Sequence, residues 1–330
     1  MIQLTIAIPT FNRNTILYDN ISILLPQLTE NCKLVIIDNN SDIPVKDTIS
    51  DLVKYQAAVE IDIVTNRINI GANPNILRCF EVCDSEWIWV LGDDDKVMPN
   101  AINLIFSTIR EHSHCIFINF SSGIYKRDVN FLTRGTAEFI EKLDSFSNAL
   151  FISAGIFKAD IIKSNIKLGY FYAYSMAPHF ATLLATIGQE GQCYFSTSQL
   201  VNWEPPEVGQ RWSFLNLGLG IMTIVELVRD VDMRRILARK ILKDVPSIEY
   251  YFYQLLWLAA KQKESDYAMF LYDQIFYRLF YYSKWNKIKY YLIRLLLLYP
   301  NLTYKALFTF KKMRGYDLEK RMYDNIYSRI

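Results

Sequence analysis

The chain has 330 residues, 51% of them hydrophobic and 21% charged, with a net charge of +2. That length suits one large domain or two modest ones. The apolar content and near-balanced charge exclude a disordered chain, and the small net charge argues neither for nor against nucleic acid.

In chain order, the N-terminus runs straight into "IQLTIAIP" with no basic region and no small-residue cleavage site, so no signal peptide is expected. "LTIAIP" is near-continuously apolar, as a strand buried on both faces should be. Asn12 or Asn14 can cap a helix in which Ile16, Leu17, Ile21, Leu24, Leu25 and Leu28 recur at helical spacing. "KLVIID" and "VEIDIV" are the second and third strands. "ANPNILRCFEVC" reads as a helix with Asn73 at the cap, Pro74 first in the helix, and Ile76, Phe80 and Cys83 on one face. "EWIWVL" is the fourth strand. This alternation predicts an α/β fold, a mostly parallel sheet flanked by helices.

Residues 117–215 mix short strands ("CIFINF", "CYFSTS", "QLVNWEP") with a helix over 177–187, and from about 216 the chain reads as helices. The expected organisation is a catalytic domain over 1–215, with halves 1–116 and 117–215, followed by a helical region over 216–330. No apolar run reaches the ~18 residues of a membrane span; "YLIRLLLLYP" is short and interrupted by Arg294. The five cysteines form no CxxC pair and no ligand-like grouping with the three histidines, so reduced thiols in a cytosolic protein are expected.

Each early strand ends in a polar cluster: Pro9-Thr10-Phe11-Asn12, Asp38-Asn39-Asn40-Ser41-Asp42, Thr65-Asn66-Arg67 and Gly92-Asp93-Asp94-Asp95. Open α/β sheets bind ligands beyond the carboxyl ends of their strands, so these clusters should converge. Three adjacent carboxylates there suit a hard divalent cation, Mg2+ or Mn2+, shared with a substrate phosphate. The plain alternative is a solvated Asp-rich turn. There is no GxxxxGK[ST], no GxGxxG behind a strand and no zinc pattern. "YKRDVNF" and "FKKMRGY" mix basic and aromatic residues on no nucleic-acid module and are expected to be solvated faces.

"LTIAIPTFNR", "KLVIIDNNSD" and "NRINIGANPNILRCFEVCDSEWIWVLGDDD", in that order over residues 1 to about 100, resemble the successive signatures of family 2 glycosyltransferases with the GT-A fold. The resemblance implies a nucleotide-sugar donor and a divalent metal. Pro9, Thr10 and Asn12 would line the nucleotide pocket and Asp38 would receive the base N–H. Arg67 would add a base or phosphate contact, and Asn75 could reach the donor. Asp93 would face the ribose and Asp94 the metal in one register, while Asp93 and Asp95 would be the pair in the other; all three stay as metal candidates. Asp38 has a plainer reading as the cap of the following turn.

An inverting transfer needs a general base at the acceptor hydroxyl. The family's acidic pair is missing from "YFYAYSMAPHFATLLATIG", which offers His179, and Glu204 and Glu207 are the alternatives. A lone histidine near an apolar helix can equally be a satisfied core residue, and retention stays open beside inversion. Arg211 in "GQRW" is a candidate diphosphate contact or an ordinary surface arginine. From Arg278 onward basic residues outnumber acidic ones among Tyr, Phe and Leu, a composition that suits either an anionic bilayer or a solvated helical face. The resemblance thus implies single-sugar transfer to a saccharide or lipid-linked saccharide in O-antigen or capsule synthesis. It implies a cytoplasmic location with peripheral contact at the inner membrane and no nucleic-acid partner. A sugar nucleotidyltransferase and a non-catalytic nucleotide-sugar-binding protein are the competing readings.

Overall fold

The computed structural model describes residues 3–54, 59–203, 220–244, 248–280 and 284–314. The chain divides into two compact units, Met1–Glu204 and Pro205–Ile330. The boundary expected near 215 lies outside the described residues.

The first unit is built on strands β1 (Leu4–Thr10), β2 (Cys32–Asp38), β3 (Glu60–Thr65), β4 (Trp87–Val90), β5 (Lys96–Val97), β6 (Phe117–Ser121), β7 (Phe131–Arg134), β8 (Gly155–Lys158), β9 (Gln192–Gln199) and β10 (Val201–Asn202). Eight of them form one sheet in the order β3-β2-β1-β4-β8-β6-β9-β7, while β5 and β10 pair separately. The expected halves 1–116 and 117–215 therefore share one sheet. The first four strands are parallel, as the alternation predicts. Beyond them β8 lies antiparallel to both β4 and β6, and β6 runs parallel to β9. One antiparallel strand between β4 and β6 leaves those two pointing the same way.

Strands covered on both faces cannot alternate in polarity. β4 is buried along its whole length and β2 at every residue but Lys33. β3, at the edge, alternates instead, and Lys33 on β2 pairs with its Glu60 (2.7 Å) and Asp62 (3.0 Å). Charge on an edge strand blunts pairing with other chains.

Helix Asn14–Leu24 buries Leu17, Ile21 and Leu24, whereas Ile16 stays exposed. Neither expected asparagine caps it. Arg13 holds the cap position, and its side chain makes no capping bond to the helix. The Asn14 amide turns away and donates to the Ile43 carbonyl (3.0 Å) and Thr48 hydroxyl (2.6 Å). Helix Ala72–Val82 begins before its expected cap, because Gly71 at φ +87° ends the loop there. Pro74 is then tolerated in a first turn whose N–H groups have no partner within the helix, and Asn73 donates to the Ala173 carbonyl at 2.8 Å.

Two further expectations are corrected. Arg127, in the "YKRDVNF" stretch, is no solvated-face residue, since its side chain is 1% exposed and paired with Asp144 (2.7 Å). It also donates to the Asn119 carbonyl and packs over the Phe195 ring, tying the end of β6 to the following loop. Second, the ligand atoms of His112, His114 and Cys115 lie within 4.8 Å of one another, a grouping the cysteine spacing did not suggest. They precede β6 and so sit at the opposite end of the sheet from the Asp triplet. All five cysteines are buried free thiols.

The second unit contains helices Val231–Asp244, Ile248–Lys261, Ser265–Phe280, Lys284–Leu298 and Pro300–Met313. Tyr272 stacks on Phe276 and Tyr290 within its core. Arg294, which interrupts the apolar run of the fourth of these helices, pairs with Asp273 at 2.9 Å. No described helix is long and apolar enough to cross a membrane.

Candidate active site

The polar strand ends converge. Pairing continues one residue past the strands: Asn39 N–H donates to the Thr10 carbonyl, Asn66 N–H to Asp38, and Leu91 N–H to Ala7. That register carries the loop after β4 to the loop after β1. The Thr10 hydroxyl donates to Asp93 at 2.7 Å, and the Asn20 amide donates to the Asp93 carbonyl at 2.6 Å.

The three carboxylates face different ways. Asp93 is buried, with one oxygen on Thr10 and the other on the Arg13 guanidinium at 3.0 Å. Asp94 is exposed and meets the same guanidinium nitrogen at 2.8 Å. Asp95 turns back into the loop, where the Ser153 hydroxyl donates to it at 2.5 Å while accepting the Gly92 N–H at 2.8 Å. A Cβ at Gly92, just before the triplet, would run into that carboxylate and push it off Ser153. Burial raises the Asp95 pKa to about 7, with Asp93 and Asp94 adding to it against the Ser153 bond. Burial likewise lifts Asp93, while Thr10 and Arg13 pull it down. Burial lowers the Arg13 pKa, but the field of Asp93 and Asp94 outweighs that and raises it.

Arg13 is the residue that sequence reasoning missed. One arginine nitrogen sits between Asp93 and Asp94 and compensates their repulsion, a pairing across 80 residues that no local pattern displays. The same arrangement tests the implied metal. Two carboxylates held around a positive charge at the mouth of the sheet are a hard-oxygen donor set of the kind Mg2+ and Mn2+ take. Asp94 offers an exposed carboxylate beside the buried Asp93, whose oxygens are held by Thr10 and Arg13, so the residues fit a divalent cation that enters through Asp94. Asp95 is engaged by Ser153, and its carboxylate braces the loop.

Other candidates are engaged in structure. Asp38 is fully buried and accepts the Ser41 N–H (2.9 Å) and Val45 N–H (3.5 Å), which matches the plainer turn-cap reading. Asn75 is buried, accepting from Asn66 and donating to the Ile37 carbonyl, so its side chain fastens the helix to β2 instead of reaching outward. Asn66 also donates to Asn39, completing an asparagine network beneath the loops. Asn12, in the left-handed region at φ +54°, exchanges hydrogen bonds with Asp42 and joins the loops after β1 and β2. Thr10 is buried, Pro9 partly buried and Arg67 exposed. Glu204, Glu207 and Arg211 lie outside the described residues.

His179 is corrected as a candidate base. It lies in the first turn of helix Pro178–Ile187, 4% exposed, with Nε2 at 2.8 Å from the Leu150 carbonyl and Nδ1 buried without a partner. Burial lowers its pKa to about 4. A base must reach its proton, and this imidazole faces the interior. Its folded pKa lies below the unfolded value of ~6.5, so the unfolded chain binds the extra proton first and stability falls as pH drops from ~6.5 to about 4. The expected loss is on the order of 3 kcal/mol. Denaturation of wild type and His179→Gln across that range should show their stability gap closing towards acid. A constant gap would contradict the depressed pKa, and a 10²–10⁴-fold loss of turnover in a folded variant would return His179 to catalysis.

Known proteins resemble this chain in sequence and in fold. Residues 5–165 match the profile of glycosyl transferase family 2. That stretch, just under half of the chain, is similar to a family 2 glycosyltransferase domain. A curated relative is the GalNAc(5)-diNAcBac-PP-undecaprenol beta-1,3-glucosyltransferase of Campylobacter jejuni, 23% identical over 155 residues. Those residues are 47% of this chain and 48% of the relative, so the match spans about half the length of each. Among solved structures, S. aureus TarS 1–349 superposes with a TM-score of 0.62 at 12% identity, covering 96% of this chain and 92% of TarS. A mannosyltransferase from Pyrobaculum calidifontis, solved with GDP-Man and Mn2+, gives 0.50 at 13% identity, covering 91% and 87%. These likenesses show the fold, which is the GT-A type that the resemblance implied.

Proposed function

We propose that this glycosyltransferase moves a single sugar from a nucleoside-diphosphate donor to a hydroxyl of a lipid-linked saccharide during surface polysaccharide assembly. The observation that carries the reading is the Asp93–Asp94 pair held around a cation where the strand ends meet. Support comes from relatives of the same kind: the Campylobacter enzyme is named for a lipid-linked substrate, and a TarS structure contains UDP-GlcNAc. In an inverting transfer the acceptor oxygen bonds to the anomeric carbon as the bond to the diphosphate breaks. The hydroxyl proton passes to a base, and the nucleoside diphosphate leaves. A divalent cation supplies charge neutralisation of the diphosphate when bound. Asp94 would ligate it, with Asp93 beside it or on the ribose. With His179 inside the core, the base role passes to Glu204 or Glu207.

Ligands that bind only the native state raise apparent stability by mass action. Melting scans against UDP-, GDP-, CDP- and dTDP-sugars, each with and without Mn2+, should show one nucleotide raising the midpoint, more so with metal. No shift from any of them at millimolar concentration would count against the donor assignment.

A further inference from the structure

Residues 284–314 contain Lys284, Lys287, Lys289, Arg294, Lys305, Lys311, Lys312 and Arg314, and neither Asp nor Glu. In a chain whose totals are 36 basic and 34 acidic residues, that segregation is marked. The same stretch leaves large apolar side chains in solvent. Ile288, Tyr291, Leu292 and Leu295, at helical spacing on Lys284–Leu298, are each more than half exposed, and Tyr299 and Leu302 continue the surface at 68% and 73%. The opposite side of this helix is satisfied: Tyr290 and Leu297 are buried, and Arg294 pairs with Asp273. The exposed stripe is thus the side of the helix opposite its own core contacts.

Isolated exposed leucines are ordinary, but a continuous apolar stripe on one helix marks a contact surface. Exposed Lys287, Lys289, Lys305 and Lys312 accompany it. A second copy of this chain would bring an equally cationic segment against this one, which like-charge repulsion disfavours. An anionic bilayer meets both requirements at once, accepting the apolar side chains at its acyl boundary and the lysines among its headgroups. The helix is 15 residues long, too short to span a membrane but suited to lying in its surface.

We infer that helices Lys284–Leu298 and Pro300–Met313 form a peripheral docking surface for an anionic lipid bilayer, seated through the stripe from Ile288 to Leu302. This names the membrane partner of the proposed lipid-linked acceptor and rests on that reading only for its purpose, since the surface needs neither donor nor metal. Each basic residue near an anionic surface strengthens binding roughly fivefold, and the attraction is screened by salt.

The test is flotation of the full chain with vesicles, without nucleotide. Phosphatidylcholine vesicles containing 30% phosphatidylglycerol should carry the protein upward, pure phosphatidylcholine vesicles at least tenfold less, and half-molar salt should weaken the binding. Leu292→Glu/Leu295→Glu should lose at least tenfold in vesicle binding while its melting midpoint and its nucleotide-induced shift match wild type. Undiminished binding by that variant, or no binding of wild type to the anionic vesicles, overturns the proposal. So does a wild-type dimer in light scattering that the variant abolishes, which would give the stripe to a second copy. Because the nucleotide shift is read on the same samples, failure of the lipid surface and failure of the transferase reading give different results.

Discussion

Asp94→Ala should lose roughly 10³-fold in divalent-dependent sugar transfer, since cation stabilisation of a transferring phosphate group is worth several kcal/mol and each 1.36 kcal/mol is a factor of ten. The fold should be unaffected. Asp94 is exposed, its contact is the Arg13 guanidinium, and Arg13 keeps Asp93 when Asp94 is removed. Substitutions at such positions change stability by about 0.5 kcal/mol or less. Asp95→Asn should act differently, because that carboxylate braces the loop through Ser153. Turnover of Asp94→Ala equal to wild type, or wild-type activity persisting in excess EDTA, would remove the cation from the account.

The largest stability effect is expected at Asp144. Its carboxylate accepts two hydrogen bonds from Arg127, at 2.7 and 3.2 Å, and Arg127 is buried beneath Phe195. Burial lowers the Arg127 pKa, and Asp144 offsets that. Removing one partner of a buried pair leaves the other charge uncompensated, which typically costs about 3–5 kcal/mol, whereas replacing both partners by apolar residues of similar volume is often far milder. Urea denaturation should therefore find Asp144→Ala destabilised by about that amount and the double variant Arg127→Met/Asp144→Leu by less. The reverse order, or a loss under about 1 kcal/mol for Asp144→Ala, would mean that the pair is solvated.

How much was legible depends on how local the determining physics is. β1, β2 and β4 announce themselves because strands covered on both faces must be continuously apolar. The convergence of their ends follows from parallel topology alone. The orientation of each carboxylate does not, because it is set by Arg13, Thr10 and Ser153, which lie 58 to 83 residues away in the chain. His179 shows the same limit: "APHFATLL" has the same letters whether the ring faces a cleft or the Leu150 carbonyl. Arg127 looked solvated because a basic residue amid polar neighbours usually is, and its partner Asp144 sits in another segment. The capping misreadings at Asn12 and Asn14 arose because both side chains bond across to residues 42–48. Asparagine's readiness to bond backbone outside helices made that outcome available.

Transfer itself is the most direct test of the central claim. The purified chain, incubated with each nucleotide sugar, Mn2+ and lipid-linked oligosaccharides from a surface-polysaccharide pathway, is assayed for released nucleoside diphosphate and for the mass of the lipid product. One donor should yield equal amounts of nucleoside diphosphate and of acceptor heavier by a single sugar, and EDTA should abolish both. Tight nucleotide-sugar binding with no transfer to any acceptor would contradict the account and make the chain a binding protein instead.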